Sequence, residues 1–199
     1  MDLKQIAPGF KDVGYSSQRI FRQVMQAFSR PGNIYSVADD ISQTPYAPGA
    51  ATQILLAMLD SETSLFISKS TSKHRLDDYL RFHTACNMAQ QPNDAQFSYF
   101  SISDNLPHLS EMAIGSDEYP DQGATILIEV SEFKVDAVTG VSISGPGLKE
   151  PKRIDIVGIA NSFWQERQTL QKEFPKGIDL LFCCGLEFIG LPRSTQVEI

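Results

Sequence analysis

The stretch Phe174-Pro175-Lys176-Gly177-Ile178-Asp179-Leu180-Leu181-Phe182-Cys183-Cys184-Gly185, continuing through Leu186 to Ile199, decides the fold. Ile178 to Cys184 is apolar on both faces apart from Asp179, the pattern of a strand covered from both sides. Gly185 admits the positive φ of a tight turn, and Leu186 to Leu191 reads as a second strand returning from it. Pro192 has no N–H to donate, so the pairing should end there and leave Arg193-Ser194-Thr195 at the sheet's rim. An Arg just beyond a central strand either meets an anion or a partner carboxylate, or closes a surface ion pair.

Upstream of that strand pair, Asn161 or Ser162 is placed to cap a helix bearing Phe163, Trp164, Leu170 and Phe174. Val141 to Ser144 is a strand closing in Gly145-Pro146-Gly147-Leu148. The third Gly of a phosphate loop is absent, position 150 is Glu, and Pro146 removes one N–H of the cradle, so this is a structural turn. Gly115 to Thr125 is an acidic, turn-rich loop leading into a strand at Ile126 to Val130. Its carboxylates suit Mg²⁺ or a cationic partner face, and equally a solvated loop. Gln96 to Ile102 reads as a strand, and Asp104 or Asn105 caps a short helix across Leu106 to Met112.

In the first half, Ser16 or Ser17 caps a helix whose Ile20, Phe21, Val24, Met25 and Phe28 share one face, stopped by Arg30-Pro31-Gly32. Arg19 and Arg22 ride on the same helix. A strand follows at Ile34 to Val37, then a helix after Pro48-Gly49 and a strand at Leu65 to Ser68. This alternation predicts an α/β fold. Ser70 to Thr84 holds two of the three histidines, with Leu76, Tyr79 and Leu80 as a helical stripe capped by one of the serines. Arg81, His83 and Thr84 fall where that helix ends. A planar five-donor fork, a group titrating near neutrality and an orientable hydroxyl together suit a phosphate or phosphonate. The same residues also suit a plain helix C-terminus, with cations answering the dipole and Thr84 bonding a carbonyl.

The totals narrow the function classes. The 199 residues fit one domain, and a net charge of −7 argues against a general nucleic-acid binder. Apolar runs are too short to span a bilayer and the N-terminus lacks a signal peptide's apolar core, so a cytoplasmic protein is expected. Cys86, Cys183 and Cys184 have no metal-ligand spacing and read as buried small hydrophobes. Cys183 and Cys184, adjacent on a strand, should point to opposite faces and not bridge. Lys73 sits among polar residues with nothing to lower its pKa, so no pyridoxal phosphate is expected on it, and the scattered His74, His83 and His108 give no metal site.

Several motifs in one order resemble the PhnH family, a component of the bacterial carbon–phosphorus lyase core complex. They are Ala7-Pro8-Gly9-Phe10-x-Asp12, then Ser17-Gln18-x-x-Phe21-Arg22-x-x-Met25-x-Ala27-x-Ser29-Arg30-Pro31-Gly32, then Leu80-Arg81-x-His83-Thr84. The acidic loop before Gly123-Ala124-Thr125-Ile126-Leu127-Ile128 continues the series, as do Ser144-Gly145-Pro146-Gly147, Phe174-Pro175-x-Gly177-Ile178-Asp179-Leu180 and Leu191-Pro192-Arg193-Ser194-Thr195. The resemblance implies one domain over residues 1–199 and a central mixed β-sheet flanked by helices, similar to pyridoxal-phosphate-dependent transferases without the cofactor. It implies a homodimer that works with the G, I and J subunits when an alkylphosphonate displaces adenine from ATP. The nucleosidase chemistry belongs to the I subunit, so a non-catalytic but essential subunit is expected here. Ligand or partner contacts are then expected at Arg81, His83, Thr84, Arg193 and Arg22. The alternatives are a stand-alone transferase using an Arg/His-lined cleft and a scaffold with no ligand of its own.

Overall fold

The computed structural model describes residues 6–38, 41, 49–68 and 75–199. Its centre is a seven-stranded mixed sheet in the order β1-β10-β9-β5-β4-β2-β3. These strands are β1 (Ile34–Ser36), β2 (Ser64–Ile67), β3 (Asn87–Met88), β4 (Phe97–Phe100), β5 (Thr125–Glu129), β9 (Asp179–Cys184) and β10 (Glu187–Leu191). β9, β5, β4, β2 and β3 run parallel, and β10 and β1 close one side antiparallel. The chain is thus α/β, as its alternating pattern predicts, and its central sheet is mixed, as the family resemblance implies.

The deciding stretch folds as read. β9 and β10 pair through a turn at Gly185, whose φ is 58°. Cys183 packs with one hydrophobic cluster and Cys184 with the other, on opposite faces of the strand. On the first face lie α1 (Val13–Ser29), α2 (Gly49–Met58) and α3 (Leu76–Thr84), contributing Ile20, Val24, Ile54, Leu55, Tyr79 and Leu80 to the cluster. Close approach of α1 to β10 depends on Gly190, where a Cβ would stand 2.8 Å from the backbone of Ala27. The second face is covered by α4 (Asn161–Leu170) and a four-stranded antiparallel sheet in the order β11-β7-β8-β6. That sheet comprises β6 (Phe133–Val135), β7 (Val141–Ser144), β8 (Lys152–Ile156) and β11 (Gln196–Glu198). Three layers therefore bury two hydrophobic clusters, one on each side of the main sheet.

Local boundaries differ from the sequence reading for identifiable reasons. α1 begins at Val13 because Asp12 caps it, accepting from the Tyr15 N–H at 3.0 Å, and Ser16 is buried inside the helix. Only a single 3₁₀ turn forms at Leu109–Glu111, because the Asp104 carboxylate is taken by the Ser101 N–H at 2.6 Å and by the Ser68 hydroxyl. Ala160 stands at the cap position of α4, without a side-chain cap. The capping serines proposed for α3 fall at 70–72 and lie outside the described residues, as do Lys73 and His74; Arg75 with φ 61° occupies the cap position. Beyond Pro192 the chain does not stop pairing for good: Thr195 is buried and β11 joins β7. The sequence also leads one to expect an edge strand after Gly147; β8 forms there but is no edge, since it lies between β7 and β6. Gly145-Pro146-Gly147 is a turn closed by Leu148 N–H to Gly145 carbonyl, seated against Ser29 at the end of α1.

Candidate functional site

The end of α3 gathers Arg81, His83 and Thr84. Asp77 and Asp78 lie in its first turn and Arg81 and His83 in its last, matching the helix dipole at both ends. Thr84 Oγ1 donates to the Leu80 carbonyl at 2.8 Å and accepts from the Cys86 N–H at 3.2 Å, and Ala85 adopts the left-handed conformation that ends the helix. His83 Nε2 lies 3.0 Å from the carbonyl oxygen of Ala7; that oxygen only accepts, so the ring donates from Nε2. Tyr79 donates to the neighbouring Pro8 carbonyl at 3.1 Å, and the His83 ring stands edge-on to Tyr79 and Phe82. The helix end thereby holds the N-terminal arm Ala7 to Phe10. Arg81 is exposed beside it.

Arg193 is turned inward instead. Its Nη2 reaches Asp179 Oδ2 at 2.7 Å, its Nε reaches the same oxygen at 3.2 Å, and its backbone N–H donates to Oδ1 at 2.7 Å. The same guanidinium donates to the carbonyls of Pro120 and Gly123. A Cβ on Gly123 would stand 2.0 Å from the Gly177 carbonyl oxygen, so only glycine lets these two loops meet under the arginine. Behind it Arg167 of α4, 1% exposed, donates through Nη2 to the carbonyls of Pro192, Arg193 and Thr195. Burial pulls its pKa down to about 10, so it remains charged at neutral pH. Arg193 therefore sits at the start of β5 and β9, while α3 leads into β3, with β4 and β2 between them. Arg22 is a third location, exposed on α1 between the exposed Phe21 and Met25.

The other edge of the parallel strands carries groups that sequence reasoning did not join. After β2 the chain returns in α3 on one face, whereas after β4 it leads to Leu109 and Met112 in the cluster on the opposite face. Strand ends whose connections diverge in this way frame a crevice where α/β proteins commonly hold ligands. Beyond β4 lies a cleft of about 290 Å³, bordered by Asp104, Asn105, His108, Ser162, Phe163 and Glu166. His108 Nδ1 is 2.6 Å from Glu166 Oε1, and Glu166 Oε2 accepts the Leu109 N–H at 2.6 Å. The bond to Glu166 and its charge hold the imidazole above its ordinary pKa. A smaller cavity of about 50 Å³ adjoins it, sharing Asp104 and reaching Glu129 at the end of β5. Burial and Glu129 push the Tyr99 phenol far up, so it stays neutral and donates to Glu129 at 2.9 Å. His108 and Glu166 stand 58 positions apart, and no local motif announces the pair.

Among the described residues no group of three His, Cys, Asp or Glu is arranged to hold a metal ion. In the acidic loop, Asp117 pairs with Lys176 at 2.8 Å and is exposed. Burial raises the pKa of all three thiols, away from nucleophilic thiolate. No helix among the described residues is long and apolar enough to cross a membrane.

The family model for "Bacterial phosphonate metabolism protein (PhnH)" matches residues 8–198. The chain is 28% identical over 191 residues to the Alpha-D-ribose 1-methylphosphonate 5-triphosphate synthase subunit PhnH of Rhizobium meliloti (strain 1021), covering 95% of this chain and 94% of that one. It is 30% identical over 185 residues to the Putative C-P lyase subunit protein HtxG of Stutzerimonas stutzeri, covering 92% and 86% respectively. With nearly its whole length matched in both comparisons, the chain belongs to the PhnH family.

Proposed function

We propose that this protein is an accessory subunit of the carbon–phosphorus lyase pathway, required when ribose triphosphate passes from ATP to an alkylphosphonate with release of adenine. The observation that carries this reading is the match over residues 8–198 together with relatives named as subunits of that synthase and of a C–P lyase. Its partners are the G, I and J subunits, its compartment is the cytoplasm, and residues 1–199 act as one domain. The fold is of the type seen in pyridoxal-phosphate-dependent transferases, used here for assembly and positioning.

The chain's own charges support a division of labour. Arg193 and Arg167 serve internal carbonyls and Asp179, whereas Arg22 and Arg81 face outward. Phe21 and Met25, 46% and 41% exposed, sit one helical turn apart on α1 beside Arg22. An apolar pair rimmed by a cation is a fitting contact for a second copy of the chain or a neighbouring subunit. We read self-association as the resting state, burying about 800 Å² or more per partner.

Co-purification with the G, I and J subunits, followed by an adenine-release assay with ATP and methylphosphonate, tests the reading. Release should require this chain. Equal release without it would overturn the proposal, as would failure of the four proteins to associate.

A further inference from the structure

We propose, independently of the assembly role, that the cleft beyond β4 binds the oxyanion group of a small molecule, with His108 Nε2–H as its principal donor. Both carboxylates lining the cleft are already answered within the chain. Asp104 accepts from the Ser101 N–H and the Ser68 hydroxyl, and Glu166 accepts from His108 and the Leu109 N–H. What the cleft offers a ligand is therefore a set of donors: the Asn105 amide, the Ser162 hydroxyl and, on the imidazolium, the second nitrogen of His108.

Glu166 fixes the tautomer and the ring direction. With Nδ1–H donated to Glu166 at 2.6 Å, Nε2 faces the cleft as an acceptor on the neutral ring and as an N–H donor on the imidazolium, and the ring is exposed enough for solute to reach it. The charged groups facing the ring are Glu166 from α4, Glu111 from its own 3₁₀ turn and Asp104 across the cleft. The nearest of these, Glu166, favours the imidazolium, whose N–H bond to an oxyanion is charge-assisted. Phe163 and Leu106 give the cleft apolar walls for the rest of the ligand, and about 290 Å³ accommodates a compact metabolite but not a polymer. The ligand class is a small phosphate-, phosphonate- or carboxylate-bearing molecule. Glu166 acts on it only through His108 and is a positioning residue.

The test uses the full-length chain labelled with ¹⁵N-histidine, titrated with inorganic phosphate and with methylphosphonate against sodium chloride of matched ionic strength. The ring signals of His108 should move saturably with either oxyanion and not with chloride. Ser162→Ala should weaken that binding about tenfold, the loss of one hydrogen bond to a charged group. Glu166→Gln should lower the His108 pKa and weaken binding at neutral pH, with recovery once the pH falls below the new value. A merely structural Glu166 would not give that recovery. The proposal is overturned if His108 responds to phosphate no more than to chloride. It is equally overturned if His83 moves in its place, which would put the anion at the end of α3. Binding by the isolated chain stands apart from adenine release, so either result can fail while the other holds.

Discussion

At the N-terminal edge of the parallel strands Arg193 gives its whole fork to Asp179 and two carbonyls. At the C-terminal edge His108 gives one nitrogen to Glu166 and leaves the other toward a cleft. Both are pairs of ionisable side chains beside strand ends, yet one is closed and the other open. The difference lies in what surrounds them. Gly123 and Gly177 let two loops press together over Arg193, while diverging connections after β2 and β4 hold the opposite edge apart. A charged residue at a strand end is thus structural where backbone carbonyls converge on it, and available where they do not.

The closed edge should break the fold when it is emptied. Arg167→Ala removes the buried donor shared by three carbonyls and leaves a large cavity, so unfolding in urea should show a loss of about 3–5 kcal/mol. Arg193→Ala strands the half-buried Asp179 and should cost about 2–3 kcal/mol by the same measurement. If both variants kept their midpoints, the edge would not be the clamp described here.

The open edge should respond to pH instead. Glu166 raises the His108 pKa in the folded protein above its ordinary 6.5. The pair therefore stabilises the fold fully below that ordinary value and ceases to do so as pH rises through the folded one. The gap in thermal midpoint between the parent chain and Glu166→Gln should shrink across that window. A gap that stayed constant from pH 5 to pH 9, about the range bracketing histidine titration, would contradict the pairing.

Much of the closed edge was legible beforehand. Two-sided apolarity from Ile178 to Cys184, the Gly185 turn and the stop at Pro192 placed β9 and β10 within a residue or so. The sequence also drew attention to Arg193, leaving open an external anion or an ion pair; the partner proved to be Asp179, the one polar residue in the strand. The two-residue β3 escaped notice, as did two further strands, and the strand after Gly147 was expected only as an edge. β6 and β11 are only three residues long, and β8 alternates Lys152, Arg153 and Asp155 with Ile154 and Ile156, a pattern visible only once one face is known to be covered. The cleft was not legible at all. Glu166 lies on a helix whose sequence reads by its Phe163 and Trp164, and His108 lies on a connection where a helix was expected. Only the tertiary fold brings them to 2.6 Å.

The most direct test measures adenine release and thermal midpoint together in the reconstituted assembly for Arg193→Ala and Arg81→Ala. Arg193→Ala should lose activity only in step with its loss of stability. Arg81→Ala should change folding by no more than about 0–1 kcal/mol, yet weaken assembly or adenine release through a lost charge-assisted contact of roughly 1.5–3 kcal/mol. The account would be contradicted by the reverse pattern: an Arg193→Ala protein of unchanged midpoint that no longer supports release, beside an Arg81→Ala protein that assembles and works as before.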